Sequence, residues 1–283
     1  EVREEYVCTL TFNAVERDTI GVELTQFEKD SWSTIATNVK SGNTSAYNVG
    51  DTKKIKIASH TNDCSSSSGK GASYVCNSSV EGERELTVRI ANKSECTNGE
   101  TSETACGFVV EFVNIIENHN YNQADATNPI GTNVGGWRDS ELRKYINDTI
   151  YKSLPSDLQN VITTTKVISS HGQTSGETNF ETQDKLYLLS GHEVYEDGTS
   201  NRISDFDTSY SNTKQLDYYK NQGVTIDSYT GAIKQYNGSD SWWLLRSADS
   251  RKTNFFFAVY ASGRWVSTGA HSSFGVSPAF RIA

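Results

Sequence analysis

The sequence predicts an α+β protein in which twisted antiparallel sheets dominate, helices are few and short, and loops are long. Three observations carry that prediction. The C-terminal part reads as a closing meander: residues 242–246 and 254–260 are short apolar runs, Ala261-Ser262-Gly263 supplies a turn, and residues 264–268 return. Two stretches, at 32–39 and 142–154, abandon the period of two for helical spacing, as a helix with one buried face requires. Between these segments lie runs rich in Ser, Asn, Asp and Gly, which satisfy turns locally.

In chain order, Cys8, Leu10 and Phe12 alternate with Val7, Thr9 and Thr11, and Ile20, Val22 and Leu24 repeat the pattern, so residues 6–24 are expected to form one or two strands. Trp32, Ile35, Ala36 and Val39 then fall on one helical face, with Asp30 or Ser31 able to cap it and Gly42 to end it. Residues 54–58 form a strand whose charged outer face suits a sheet edge. A polar, serine-rich insertion occupies 60–80, and strand patterns resume at 86–91 and 108–116. Asn133 to Trp137 is a Gly-Gly turn that seats Trp137 in the core; it has neither the spacing nor the Lys of a phosphate-binding loop. Asp139 or Ser140 caps the next helix, whose stripe is Leu142, Tyr145 and Ile146, extended by Ile150 and Leu154 until Pro155 stops it. A short helical turn follows over 156–162.

Further on, residues 184–189 read as a strand, Ser190-Gly-His-Glu193 as a capping box with His192 on the first turn, and 215–221 as an aromatic helix with Leu216 and Tyr219 inward. Trp242, Trp243 and Arg246 are expected in the core, with Arg246 paired to a buried acceptor. The last strand, 276–282, alternates Val276, Pro278, Phe280 and Ile282 against Ser277, Ala279 and Arg281. Pro278 has no backbone donor, which places that strand at an edge or puts a bulge in it.

Length and charge bound the function. A chain of 283 residues can bury its core as one domain, expected over 27–283 with an insertion at about 60–106. A net charge of −9 argues against nucleic acid, because phosphate contacts need a basic surface. No apolar run approaches the roughly 20 residues of a membrane span. The chain has no Met, so residues 1–26 are expected to be a strand segment or a linker to an N-terminal anchor outside it, the only membrane connection foreseen. Cys64 and Cys76 bracket one polar loop and Cys96 and Cys106 another. Pairing within each bracket would contribute about 3 kcal/mol in the chain-entropy model. Cys8 is left as a free thiol or for a partner elsewhere. Disulfides place the chain outside the cell or at its surface.

Several groups invite chemistry. His119 and Asp125 sit among asparagines in what reads as a solvated connection rather than a metal site. Ser169-Ser-His171 lacks the G-x-S-x-G spacing and an orienting acid. Asp197, Asp205 and Asp207 offer oxygen ligands to Ca²⁺, the one cofactor considered, without EF-hand spacing. The loops of the closing meander mix aromatic, basic and small polar residues, which suits adaptable recognition. Trp265, Arg264, His271 and Arg251 are the expected ligand contacts, with Tyr260 in support.

The motifs Ser241-Trp-Trp-Leu-Leu-Arg-Ser247 and Gly275-Val-Ser-Pro-Ala-Phe-Arg-Ile282 resemble a bacterial domain family of unknown function found in secreted and surface proteins of Gram-positive, often gut-dwelling, bacteria. Upstream motifs, including Tyr47-Asn-Val-Gly-Asp-Thr52 and Leu154-Pro-Ser-Asp-Leu158, extend the resemblance to about residue 27. The pattern is similar to the C-type-lectin-like superfamily, which also holds the sulfatase-modifying enzymes. The resemblance implies a C-type-lectin-like domain. Redox chemistry of the sulfatase-modifying kind uses late cysteines, whereas here none follows Cys106, and the E-P-N, Q-P-D and W-N-D sugar-binding motifs are absent. The expectation is an extracellular, monomeric ligand-binding or adhesion module, taking a glycan or a host or bacterial surface protein through its C-terminal loops. An exported hydrolase acting on extracellular polymers and a structural spacer are the alternatives, and catalysis is not the favoured one.

Overall fold

The structure, a computed structural model, describes residues 23–283; Cys8 and the body of the strand pattern expected over 6–24 lie outside the described residues. Two helices come first, α1 (Gln26–Lys29) and α2 (Trp32–Lys40), started by Thr25 and Ser31, whose hydroxyls accept from the Glu28 and Thr34 amides. Strand β1 (Thr52–Ile57) turns Lys54 and Lys56 outward, where they pair with Glu85 and Glu83, while Lys53 donates to the carbonyls of Glu28 and Asp30. The serine-rich insertion is a hairpin of β2 (His60–Ser68) and β3 (Val75–Glu81), closed by Cys64–Cys76. Strands β4 (Arg84–Asn92) and β5 (Val109–Phe112) pair antiparallel, and Cys96–Cys106 closes the loop between them. The strand expected over 108–116 is shorter, because after Phe112 the chain leaves this sheet and β6 (Glu117–His119) enters another.

Ser140 caps α3 (Glu141–Tyr145), which runs through one π-helical turn, Ile146–Ile150, into α4 (Tyr151–Ser153). Pro155 then precedes α5 (Ser156–Gln159), β7 (Ile162–Thr163), β8 (Thr165–Ser169) and β9 (Phe180–Asp184). The strand expected at 184–189 does not form. Tyr187 alone pairs as a strand residue would, with Ala279; Asn147 Oδ1 accepts from the Lys185 and Leu186 amides, and Arg246 takes the Leu188 carbonyl with Nη1 and the Leu189 carbonyl with its backbone amide, so two side chains and one amide satisfy what a ladder would have. Helix α6 (Gly191–Val194) opens with the expected capping box, and α7 (Asp217–Asn221) turns Tyr219 inward. A hairpin of β10 (Lys234–Tyr236) and β11 (Ser239–Ser241) leads to β12 (Trp243–Ala248), β13 (Phe255–Val259), β14 (Trp265–Gly269), β15 (Phe274–Val276) and β16 (Ala279–Ile282).

Two five-stranded sheets result, in the orders β1-β4-β5-β16-β7 and β14-β13-β12-β15-β6, antiparallel except for the β12–β15 pair. The single last strand expected over 276–282 is two. Its break falls at Ser277-Pro278, where the chain crosses from one sheet to the other, and β16 is central rather than at an edge. Pro278 has no amide to lose there, and its carbonyl accepts from Phe112. One apolar cluster joins helices and both sheets, with Trp137 and Trp243 fully buried. Trp137 donates to Asp184 at 2.9 Å, after a turn in which Gly136 has φ +55° and lies against Phe180 and the Ser170 carbonyl. Trp242 is not core: neighbours along a strand face opposite ways, so burying Trp243 turns Trp242 outward onto Phe274 and Tyr260.

Charge is buried in the centre as well. Arg246, fully enclosed, spends its donors on both Glu193 oxygens, Thr104 Oγ1 and the carbonyls of Leu188 and Ile168. At the base of the hairpin, His60 Nδ1 meets the Ala58 carbonyl at 3.0 Å and Nε2 meets Glu117 at 2.9 Å. Neither partner donates when Glu117 is ionised, so both ring nitrogens carry protons. The hydrogen bond to Glu117 raises His60 above the ordinary imidazole pKa, against the burial that lowers it.

Glu193→Leu strands a buried guanidinium and is expected to cost about 3–5 kcal/mol in urea unfolding; a loss under about 1 kcal/mol would show that the core tolerates it. Because the folded His60 pKa is raised, its contribution is complete below the unfolded imidazole value of about 6.5 and fades as pH rises through the folded value. Melting of wild type and His60→Gln from pH 6 to 9 should therefore converge with rising pH, and a gap independent of pH contradicts the charged pair.

Candidate functional site

A concavity of about 580 Å³ lies along β14 and the turn before it. Trp265, Arg264, Val266 and Ser267 line it from β14 and its turn, Arg251 from the β12–β13 loop, and Asn201, Ile226, Asp227 and Tyr229 from upstream loops. A second hollow of about 430 Å³ adjoins it, shares Tyr229, Arg264 and Val266, and adds Trp242, Tyr260 and Ser262.

Local chemistry sets this shape. The turn from Tyr260 to Arg264 is closed by Tyr260 N–H to the Arg264 carbonyl at 2.7 Å and Gly263 N–H to the Tyr260 carbonyl at 2.8 Å. Gly263 has φ +89°, and a Cβ there would stand 2.2 Å from the Tyr229 carbonyl oxygen, so only glycine lets the turn close against the opposite loop. Tyr195, fully buried, donates to the Gly263 carbonyl at 2.5 Å and holds the turn from below.

Phe206 lies beneath the aromatic wall. Trp265, half-buried, stacks on it with centroids 5.2 Å apart, and the Arg251 guanidinium lies 3.9 Å from the same ring. Arg251 is held by Asp249, whose oxygens accept from its backbone amide, Nε and Nη2. Burial pushes the Asp249 carboxyl up, but the hydrogen bonds from Arg251 outweigh it and leave the group below the usual carboxylate range.

Of the expected contacts, Trp265, Arg264 and Arg251 line the larger concavity, and Tyr260 lies in the smaller beside Arg264. His271 lies in neither. Its ring sits 5.9 Å from Tyr74 of the serine-rich hairpin, and its carbonyl accepts from Ser67 and Tyr74. Burial lowers its pKa, and it acts as a seat for the hairpin. Asn201, Asp227, Tyr229 and the underlying Phe206 escaped the sequence reading, since they come from loops without a period. The only trace was an aromatic, Phe206, in an otherwise polar run.

The other candidates are engaged internally. His119 is buried rather than in a solvated connection: it belongs to β6, stacks on Tyr145 and meets Asp63 at 2.7 Å, while Asp125 is exposed and caps its own turn. His192 stacks on Tyr210 and bonds its carbonyl. His171 bonds the Gly172 carbonyl. Asp207 accepts from Ser209 and Ser247, and Asp197 from Ser204 and Arg202. Among the described residues no group of three or more His, Cys, Asp or Glu is arranged to hold a metal ion.

The family described as "Domain of unknown function (DUF6273)" matches residues 112–283, which include every residue of both concavities. No curated protein and no solved structure matches the chain.

Asp249→Asn removes the charge that holds Arg251 and is expected to cost about 1–3 kcal/mol. Urea unfolding checks this, with an unchanged midpoint showing that the pair does not hold the loop.

Proposed function

The chain belongs to the DUF6273 family, a domain of unknown function, and we propose that it acts as an extracellular ligand-binding or adhesion module whose groove over Trp265 takes a glycan. The observation that carries this reading is an aromatic surface, Trp265 stacked on Phe206, sharing one open cleft with polar side chains. Saccharides present both an apolar ring face and a rim of hydroxyls, and amphipathic aromatic walls with a few placed polar groups match that combination. A cleft with so many polar atoms suits a lipid tail poorly. The C-type-lectin-like identity of the sheets and long loops belongs to the same reading, with the loops carrying the ligand.

The setting supports it. Two disulfides favour an oxidising compartment, and no described helix is long and apolar enough to cross a membrane. Attachment through an anchor beyond the described residues and action as a monomer are parts of the proposal.

A second reading, a hydrolase of extracellular polymers, draws on a different place. A hollow of about 290 Å³ brings together Asp63, His119 and Glu141, and burial raises the Glu141 carboxyl above its ordinary range. Release of reducing ends from a polysaccharide by wild type, lost in Glu141→Gln, would select it.

A glycan-array screen with and without Ca²⁺, followed by calorimetry on any hit, tests the first reading. Trp265→Ala should weaken binding at least about tenfold, whereas His271→Ala should leave it unchanged. Equal affinity in wild type and Trp265→Ala would move the site elsewhere.

A further inference from the structure

The charges around the groove are unevenly committed. Among the described residues, every other arginine lies within ion-pair distance of a carboxylate, and Arg264 alone does not. It is exposed and stands on the ridge shared by the two concavities. Arg251 has given Nε and Nη2 to Asp249, which leaves Nη1 without a partner among the described residues. Across the cleft, Asp227 Oδ2 accepts from the Thr199 amide at 3.0 Å, and its Oδ1 is unengaged among the described residues. The cleft therefore offers an open guanidinium fork, one further N–H edge, one carboxylate oxygen and the Trp265 wall.

Each part has a natural complement. A guanidinium fork matches a carboxylate through two parallel hydrogen bonds. A lone carboxylate oxygen accepts from a hydroxyl, and an aromatic face packs against a sugar ring. A ligand that brings a carboxylate, hydroxyls and a flat apolar face together is an acidic saccharide. We propose, resting on the glycan-binding reading above, that this groove selects acidic saccharides, with Arg264 reading the carboxylate. An acidic peptide fits less well, since it would set further carboxylates against Asp227 with few hydroxyls to offer. The net charge of −9 sharpens the case. Such a chain repels polyanions at long range, so retention of one depends on this local cation rather than on non-specific ion exchange.

Sialyl-lactose against lactose, and polygalacturonate against galactan, provide acidic and neutral pairs for calorimetry at low and at physiological salt. Wild type should prefer the acidic member of at least one pair. Arg264→Gln should lose about 10- to 100-fold on that ligand and nothing on the neutral one, with Lys56→Gln as a charge-matched control and melting temperature as a check on folding. Equal binding of acidic and neutral members, lost in Trp265→Ala but not in Arg264→Gln, overturns the acidic proposal and leaves the glycan reading standing. Binding of no saccharide overturns both, and selective binding of polyglutamate would assign the fork to a peptide instead.

Discussion

The ion pair of Arg246 with Glu193 is the constraint on which most of the molecule depends. Both groups are wholly enclosed, and desolvating two charges costs more than their attraction returns unless every remaining polar site is filled. Filling those sites draws in distant segments. Thr104 comes from the second disulfide loop, Ile168 from β8, Leu188 from the chain before α6 and Thr213 from the connection before α7. Glu193 also completes the capping box with Ser190, so one carboxylate starts a helix and neutralises a strand. A hydrophobic pair of similar volume could match the pair in stability, but it would not dictate which carbonyls must converge. The pair's contribution is to register.

The second buried carboxylate works similarly at the crossing between the sheets. Glu111 on β5 accepts from Arg89 on β4, Tyr219 on α7 and Lys234 on β10, and Lys234 reaches the Phe112 carbonyl and Ser277 where the last strands part. Burial lowers the Lys234 ammonium to about 8, with Glu111 opposing that shift. The break at Pro278 is thus held by charge on one side and by the Phe112 hydrogen bond on the other.

The groove is supported from this core. Ser247, next to Arg246, donates to Asp207, and Asp207 anchors the segment that carries Phe206. Phe206 supports both Trp265 and Arg251. What lay in local pattern was legible beforehand: the two helix starts, each narrowed to a pair of caps of which the fold uses Ser31 and Ser140, the capping box at Ser190, the turn that seats Trp137, and both disulfides. What depended on distant partners was not. Pro278 signalled a missing donor, yet only the two competing sheets make it a crossing. Residues 184–189 have strand composition, but Asn147 and Arg246 take their backbone groups first. His119 and His271 looked like surface groups among polar neighbours, and both are fastened under a hairpin whose docking no periodicity reveals. About a third of the groove was visible, chiefly because β14 and its turn are continuous in sequence, while Asp227 and Asn201 reach it only through the fold.

The stretches 243–247 and 276–280 are themselves core. Trp243, Leu244, Leu245, Arg246 and Ser247 are all fully buried, as are Val276, Ser277, Ala279 and Phe280. Such residues are constrained by packing and by the Glu193 pair, so possessing them identifies an architecture and leaves the ligand open. The groove residues sit just outside these stretches: Arg251 five positions after Arg246, Arg264 and Trp265 past the next strand, Asp227 in an upstream loop. They meet the core through Phe206, Phe257, Tyr195 and Asp249 and through the backbone of their turns. Substituting Arg264 or Asp227 disturbs no buried polar group, whereas altering Arg246 disturbs several segments at once. The buried stretches and the groove therefore carry separate demands: the first fix the packing, while Arg264, Trp265 and Asp227 set only the chemistry that the groove offers, so a change of one need not disturb the other.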